Sequence, residues 1–155
     1  MRLLLLPLLA CGLLTCGQTP DANPTLCQLA EAREKYARQT VTVEGYLLVS
    51  RHGSVLTDPS CGYGVGLTWY EDDAVRLKDV AAVASRFSRE PLMVRVKASG
   101  QMQQDATPNM VGTRSWNLAP ATAEVLSVHP LPEQDVERYL RWLEGPSPEP
   151  FRPSR

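Results

Sequence analysis

Thr40-Val41-Thr42-Val43-Glu44-Gly45-Tyr46-Leu47-Leu48-Val49 is the stretch on which the fold turns. Val41, Val43, Gly45, Leu47 and Val49 point one way, and Thr42, Glu44, Tyr46 and Leu48 the other, which is the two-residue period of a half-buried strand. Gly45, at its middle, has no side chain to resist bending, so a bulge or a sharply coiled strand is expected there.

Downstream, Arg51-His52-Gly53-Ser54 reads as a hairpin turn, Val55 to Asp58 as a short strand, and Pro59 to Gly64 as a second turn rich in turn formers. Val65, Leu67 and Trp69 then alternate with Gly66, Thr68 and Tyr70 in a third strand. Upstream, Thr25 followed by Gln28 has capping-box spacing, and the stripe Leu26, Leu29, Ala30, Tyr36 and Ala37 predicts a helix over 25–37.

Asp72-Asp73 suits the positive end of a helix dipole. The helix it opens carries Leu77, Val80, Ala81, Ala84 and Phe87 on one stripe, and Pro91 ends it. A fourth strand places Leu92, Val94, Val96 and Ala98 on one face, with Gly100 in a place like that of Gly45. Gln101 to Asn117 reads as long, polar and irregular. Ala121 to His129 is a fifth strand, Pro132 to Glu144 a terminal helix, and 145–155 a disordered proline-rich tail.

A helix, three meandering strands, a helix and two strands is the order of a five-stranded Greek-key barrel of OB-fold type, an α+β arrangement with one helix between strands three and four and extra helices at both ends. Closing five short strands removes exposed edges, and the 77–87 stripe would plug one open end. The run Lys35-Tyr36-Ala37-Arg38-Gln39-Thr40-Val41-Thr42-Val43-Glu44-Gly45-Tyr46 resembles the opening of bacterial exported OB-fold proteins. Val94-Arg95-Val96-Lys97-Ala98-Ser99-Gly100 resembles the second valine–glycine motif of that family. The resemblance spans about 25–130 and implies a fold and an address. Its relatives are mostly uncharacterised periplasmic or lipoprotein domains, so it transfers no catalytic residues.

The first sixteen residues, one arginine and an apolar run ending in cysteine, read as a secretion signal, with 17–24 as a tether and 25–131 as the domain. Leu3 to Thr15 is 13 residues, short of the roughly 20 that cross a hydrocarbon core. Cys16 is the favoured lipidation point and Cys11 the alternative, while a plain signal peptide cut near Gly17 or Thr19 would leave no lipid. Cleavage at Cys16 leaves Cys27 and Cys61 as an even pair, expected as a structural disulfide pinning the first helix to the barrel. The expected address is the periplasm, or the periplasmic side of the outer membrane through the lipid.

Without Arg2, fifteen basic groups face seventeen acidic ones, a net charge of −2, which argues against a nucleic-acid partner. His52 and His129 are the only histidines, and neither has a nucleophile at a recognisable spacing. Neither cofactor nor metal is expected: Cys-x-x-Cys spacing, a nucleophile elbow and a phosphate loop are all missing. The candidate ligand face comprises Tyr46, Leu56, Thr68 and Tyr70 as outward residues, Arg51 and His52 in the first loop, and Arg114 and Trp116 in the last. Such a mix suits stacking or a peptide, whereas the plainer reading folds Trp116 back over the barrel mouth. The resulting expectation is a monomeric, non-enzymatic envelope module that engages a protein or small ligand. The alternative is a structural or stress-protective envelope protein with no specific ligand.

Overall fold

A computed structural model describes residues 21–50, 53–68, 77–104, 116–143 and 149–154. The signal segment with Cys11 and Cys16, the loop residues Arg51, His52 and Arg114, Tyr70, and the Asp72-Asp73 cap lie outside the described residues. Among those described, no helix is long and apolar enough to cross a membrane.

Helix α1 runs Leu26–Ala32 and opens on a complete capping box: Gln28 N–H donates to Thr25 Oγ1 at 3.1 Å, and Thr25 N–H to Gln28 Oε1 at 2.8 Å. The helix tightens into a 3-10 turn at Arg33–Tyr36 instead of running on to 37. The cause is the entry to the first strand, where Arg38 takes φ 63° and donates its N–H to the Met102 carbonyl at 2.8 Å. That left-handed turn costs a non-glycine residue some energy, and the hydrogen bond offsets it.

Strands β1 (Thr40–Ser50), β2 (Gly53–Asp58), β3 (Tyr63–Leu67), β4 (Leu92–Gln104) and β5 (Trp116–Pro130) close into a barrel in the order β1-β2-β3-β5-β4. All neighbours are antiparallel except at the seam, where Gly66 and Leu67 of β3 run parallel to Asn117 and Leu118 of β5. This order is consistent with an OB-fold-like barrel. β1 serves two neighbours: Thr40 to Tyr46 pair with β4, and Tyr46 to Ser50 with β2. The change of partner falls beside Gly45. A Cβ there would lie 2.7 Å from Leu26 Cδ1 and 3.0 Å from the Thr57 carbonyl, so the missing side chain lets α1 and β2 pack closely on the strand, whose pairing with β4 runs unbroken through Gly45 without the expected bulge.

The expected inward sets fill the barrel: Val41, Val43 and Leu47 from β1, Val65 from β3, Leu92, Val94, Val96 and Ala98 from β4. Leu56 joins them with no exposure, which corrects its expected outward place. Leu56 stands directly opposite Leu47 in the antiparallel register, and opposed residues share a face. Helix α2 (Lys78–Arg86) sits in chain order between β3 and β4. Val80, buried, and Val83 and Phe87, partly buried, pack on the core from it.

Both long strands outrun their apolar pattern. Gln101 to Gln104 pair with Ala119 to Trp116, in a stretch whose polarity reads as loop, because Met102 and Leu118 turn inward and are fully buried. Irregularities at Arg95/Val96 and Ser99/Gly100 let β5 coil around β4.

At the C-terminus a 3-10 turn, Glu133–Asp135, leads into α3 (Val136–Leu143). Tyr139 and Leu143 of α3, with Leu131, build a second apolar cluster against Tyr46 and Leu48 of β1 and Met93 of β4. α3 therefore lies on the outer wall of the barrel, over outward residues that would otherwise be wet. The residues after it, 149–154, have no helix or strand, yet Phe151 belongs to the same cluster.

Candidate binding groove on the barrel wall

The outward positions of β1 and β4 bring charge together across the ladder. Glu44 stands opposite Lys97, and Tyr46 opposite Arg95. One Glu44 oxygen receives Arg95 Nη2 at 3.3 Å and the other meets Lys97 Nζ at 3.6 Å, while the Arg95 guanidinium carbon lies 6.0 Å from the Tyr46 ring centroid. These side chains are about half exposed, so the ion pairs contribute little stability in water. They set Arg95 and Glu44 side by side on the wall.

Two adjoining clefts share Glu44, Asp58 and Arg95. One, of about 320 Å³, runs between the β1–β2 wall and the C-terminal segment, with Tyr46, Trp142 and Pro150 as its apolar side and Thr57, Asp58 and Ser60 as its polar side. The other, of about 330 Å³, continues past Lys97 to Asn23 and Thr25 at the foot of α1. Asp58 is oriented by the turn that follows it: its Oδ1 accepts from Ser60 N–H at 2.9 Å and from Ser60 Oγ at 2.7 Å. Tyr46 meets Trp142 edge to face, with centroids 4.8 Å apart and planes at 81°.

The same turn carries the cysteine pair. Cys27 on α1 and Cys61 lie at disulfide distance, with Cα atoms 5.8 Å apart and a separation of 34 in sequence. A bond there ties the first helix to the Asp58–Gly62 turn and so steadies one rim of the groove.

Of the expected ligand face, the described residues separate rather than converge. Tyr46 is half-buried and lines the groove under Trp142. Trp116 is 8% exposed and belongs to the core at the start of β5, the arrangement in which the indole folds back over the barrel interior. Thr68 is half-buried, and its N–H donates to the Leu118 carbonyl at 3.0 Å. Glu44, Arg95, Asp58 and Trp142 were not among the expected site residues. Only the pairing of β1 with β2 and with β4 and the packing of α3 bring them together, and no local motif announces these.

Chemically the groove offers hydrogen-bonding and charged groups of both signs beside two aromatic rings, a surface for binding. Among the described residues no cluster of His, Cys, Asp and Glu has the geometry to hold a metal ion. His129, one residue before the end of β5, stands opposite Met93 on an exposed position and lines neither cleft. No protein-family model matches this chain, and no curated protein matches it.

Proposed function

We propose that the protein is an exported, lipid-anchored binding module of the bacterial envelope, an OB-fold-like barrel without enzymatic activity that holds a protein or small ligand against its outer wall and loop face. The observation that carries this reading is the groove itself: the Tyr46–Trp142 aromatic pair beside the Glu44–Arg95 ion pair, on a wall whose opposite side is a closed apolar core. Aromatic rings flanked by oriented charges are the composition of a recognition surface. The Cys27–Cys61 pair, which suits an oxidising compartment, is what supports the exported part of this reading.

A photo-reactive residue at Ser60, on the rim of the groove, tests it in intact cells. Crosslinks to one protein or ligand from Ser60, absent when the same residue is placed at the exposed Ser88 of the α2 end, support the module. Identical crosslinks from both positions overturn it. Metabolic labelling with palmitate, in the native chain and in Cys16→Ser and Cys11→Ser, tests the anchor separately. Loss of label in one variant alone identifies the lipidated cysteine, and no label in the native chain removes the lipid from the reading.

A further inference from the structure

Polar side chains of α3 and of the 3-10 turn before it engage the segment that follows the helix. Trp142 Nε1 donates to the Glu149 carbonyl at 2.8 Å, and Arg138 Nη2 to the Arg152 carbonyl at 2.8 Å. The Asp135 carboxylate accepts from the Ser154 N–H at 2.5 Å and from the Ser154 hydroxyl at 2.8 Å. As the helix and the turn before it are read backwards from Trp142 to Asp135, the tail is read forwards from 149 to 154, so the two run antiparallel. Three of these four hydrogen bonds go to main-chain atoms of the tail. Side-chain recognition is concentrated in Phe151, whose ring lies 5.2 Å from Tyr139, 5.6 Å from Trp142 and 4.9 Å from the Arg138 guanidinium carbon.

That is the division of labour by which receptors read segments without helix or strand: main-chain hydrogen bonds supply affinity and one pocket supplies selectivity. An indole N–H donating to a carbonyl beside proline, on an aromatic surface, is suited to a proline-rich segment, whose restricted backbone loses little entropy on docking. Beyond Glu149 and Pro150 the seat does not stop. The cleft of about 320 Å³ that Glu149 and Pro150 line continues along the wall to Thr57, Asp58 and Ser60.

We propose that α3 and the β1–β4 wall form a receptor for a proline-containing segment with one aromatic residue, which Glu149–Ser154 occupy in cis and which a segment of the same chemistry in a partner protein takes in trans by displacing them. The inference rests on reading the protein as a binding module, and it names the class of partner. Tethering gives the tail an effective concentration in the millimolar range, so the cis segment sets a threshold that a partner must exceed.

The probe is a fluorescein-labelled peptide, Pro-Glu-Pro-Phe-Arg-Pro-Ser, titrated with the full chain and followed by anisotropy. Phe151→Ala empties the aromatic pocket of the tail, and Ser154→Pro removes the amide that Asp135 accepts. Each variant should bind the peptide at least about tenfold tighter than the native chain, because the competing tether is weakened. Adding Trp142→Phe to either keeps an aromatic ring but loses the indole donor, and should cancel the gain. A peptide with alanine for phenylalanine should not bind. If both tail variants keep a cooperative thermal transition yet bind the peptide no tighter than the native chain, the inference falls. Ser60 crosslinks that persist beside that result would leave the wider binding role standing and remove only the peptide class.

Discussion

The Tyr46 ring on β1 meets Trp142 of α3 edge to face at 4.8 Å, and this contact joins the barrel wall to the C-terminal helix. It stands where the second apolar cluster reaches the groove, so it both covers the wall and shapes the cleft beside it. Its strength is measurable. A double-mutant cycle of Tyr46→Ala and Trp142→Ala, read by urea denaturation, should return a coupling of about 0.5–1.5 kcal/mol. Strict additivity would mean that α3 holds to the barrel through Leu131, Tyr139 and Leu143 alone.

The Asp135 carboxyl is held below the ordinary carboxylate range, first by the Ser154 N–H, then by the Ser154 hydroxyl and the Arg138 guanidinium at 2.9 Å, against the opposing effect of its burial. A depressed folded-state pKa contributes stability that is complete above the unfolded value and lost as pH falls through the folded one. The tail should therefore stay docked at neutral pH and release only in acid, below the pH at which an ordinary aspartate titrates. The Ser154 amide resonance should follow that titration. Asp135→Asn should remove the acid transition from the tail while leaving the barrel's own unfolding in place.

Tyr139 is buried with its hydroxyl unpartnered, and burial first, then the nearby Tyr46, raises its pKa far above the ordinary phenol value. Burial raises Tyr63 as well, although Arg33 opposes it. Because the neutral form is favoured in the folded state, this contribution to stability is present below the ordinary phenol pKa and declines as pH rises beyond it. In an alkaline titration followed by phenolate absorbance, the Tyr139 phenolate should stay absent while the fold is intact. It should appear only with global unfolding. Phenolate absorbance from all five tyrosines in one step, with the near-ultraviolet dichroism intact, would contradict its burial.

If Cys27 and Cys61 are bonded, the mass of the native protein rises by two hydrogen atoms on reduction. Closing a loop of 34 positions is worth about 3–4 kcal/mol in the chain-entropy account. Cys27→Ser with Cys61→Ser should lower the denaturation midpoint accordingly. An unchanged mass would show two thiols instead.

Gly100 sits at the second irregularity of the β4–β5 ladder, where an added Cβ would fall 2.2 Å from the Ala119 carbonyl and 2.6 Å from Pro120 Cα. Both are backbone atoms and neither can rotate away. Gly100→Ala should cost about 1–3 kcal/mol, the range for forcing atoms into a packed site. The readout is the midpoint of thermal or urea unfolding, and an unchanged midpoint would mean that the two strands separate freely there.

The amino-acid sequence by itself determined the elements whose signals are local. The alternation from Val41 to Val49 placed β1 and its inward face, Thr25 and Gln28 placed the start of α1, and Val94 to Ala98 placed the inner face of β4. Side-chain period and capping act over a few neighbouring residues, so they can be read without knowing what lies across the molecule. The tertiary structure alone decided the rest. Register turned Leu56 inward opposite Leu47, ladder pairing made strand of Gln101–Gln104, and packing set Trp142 against Tyr46 with the tail on α3. Each of those contacts joins positions far apart in the chain, and their energies exist only once the barrel has brought the partners within a few ångströms.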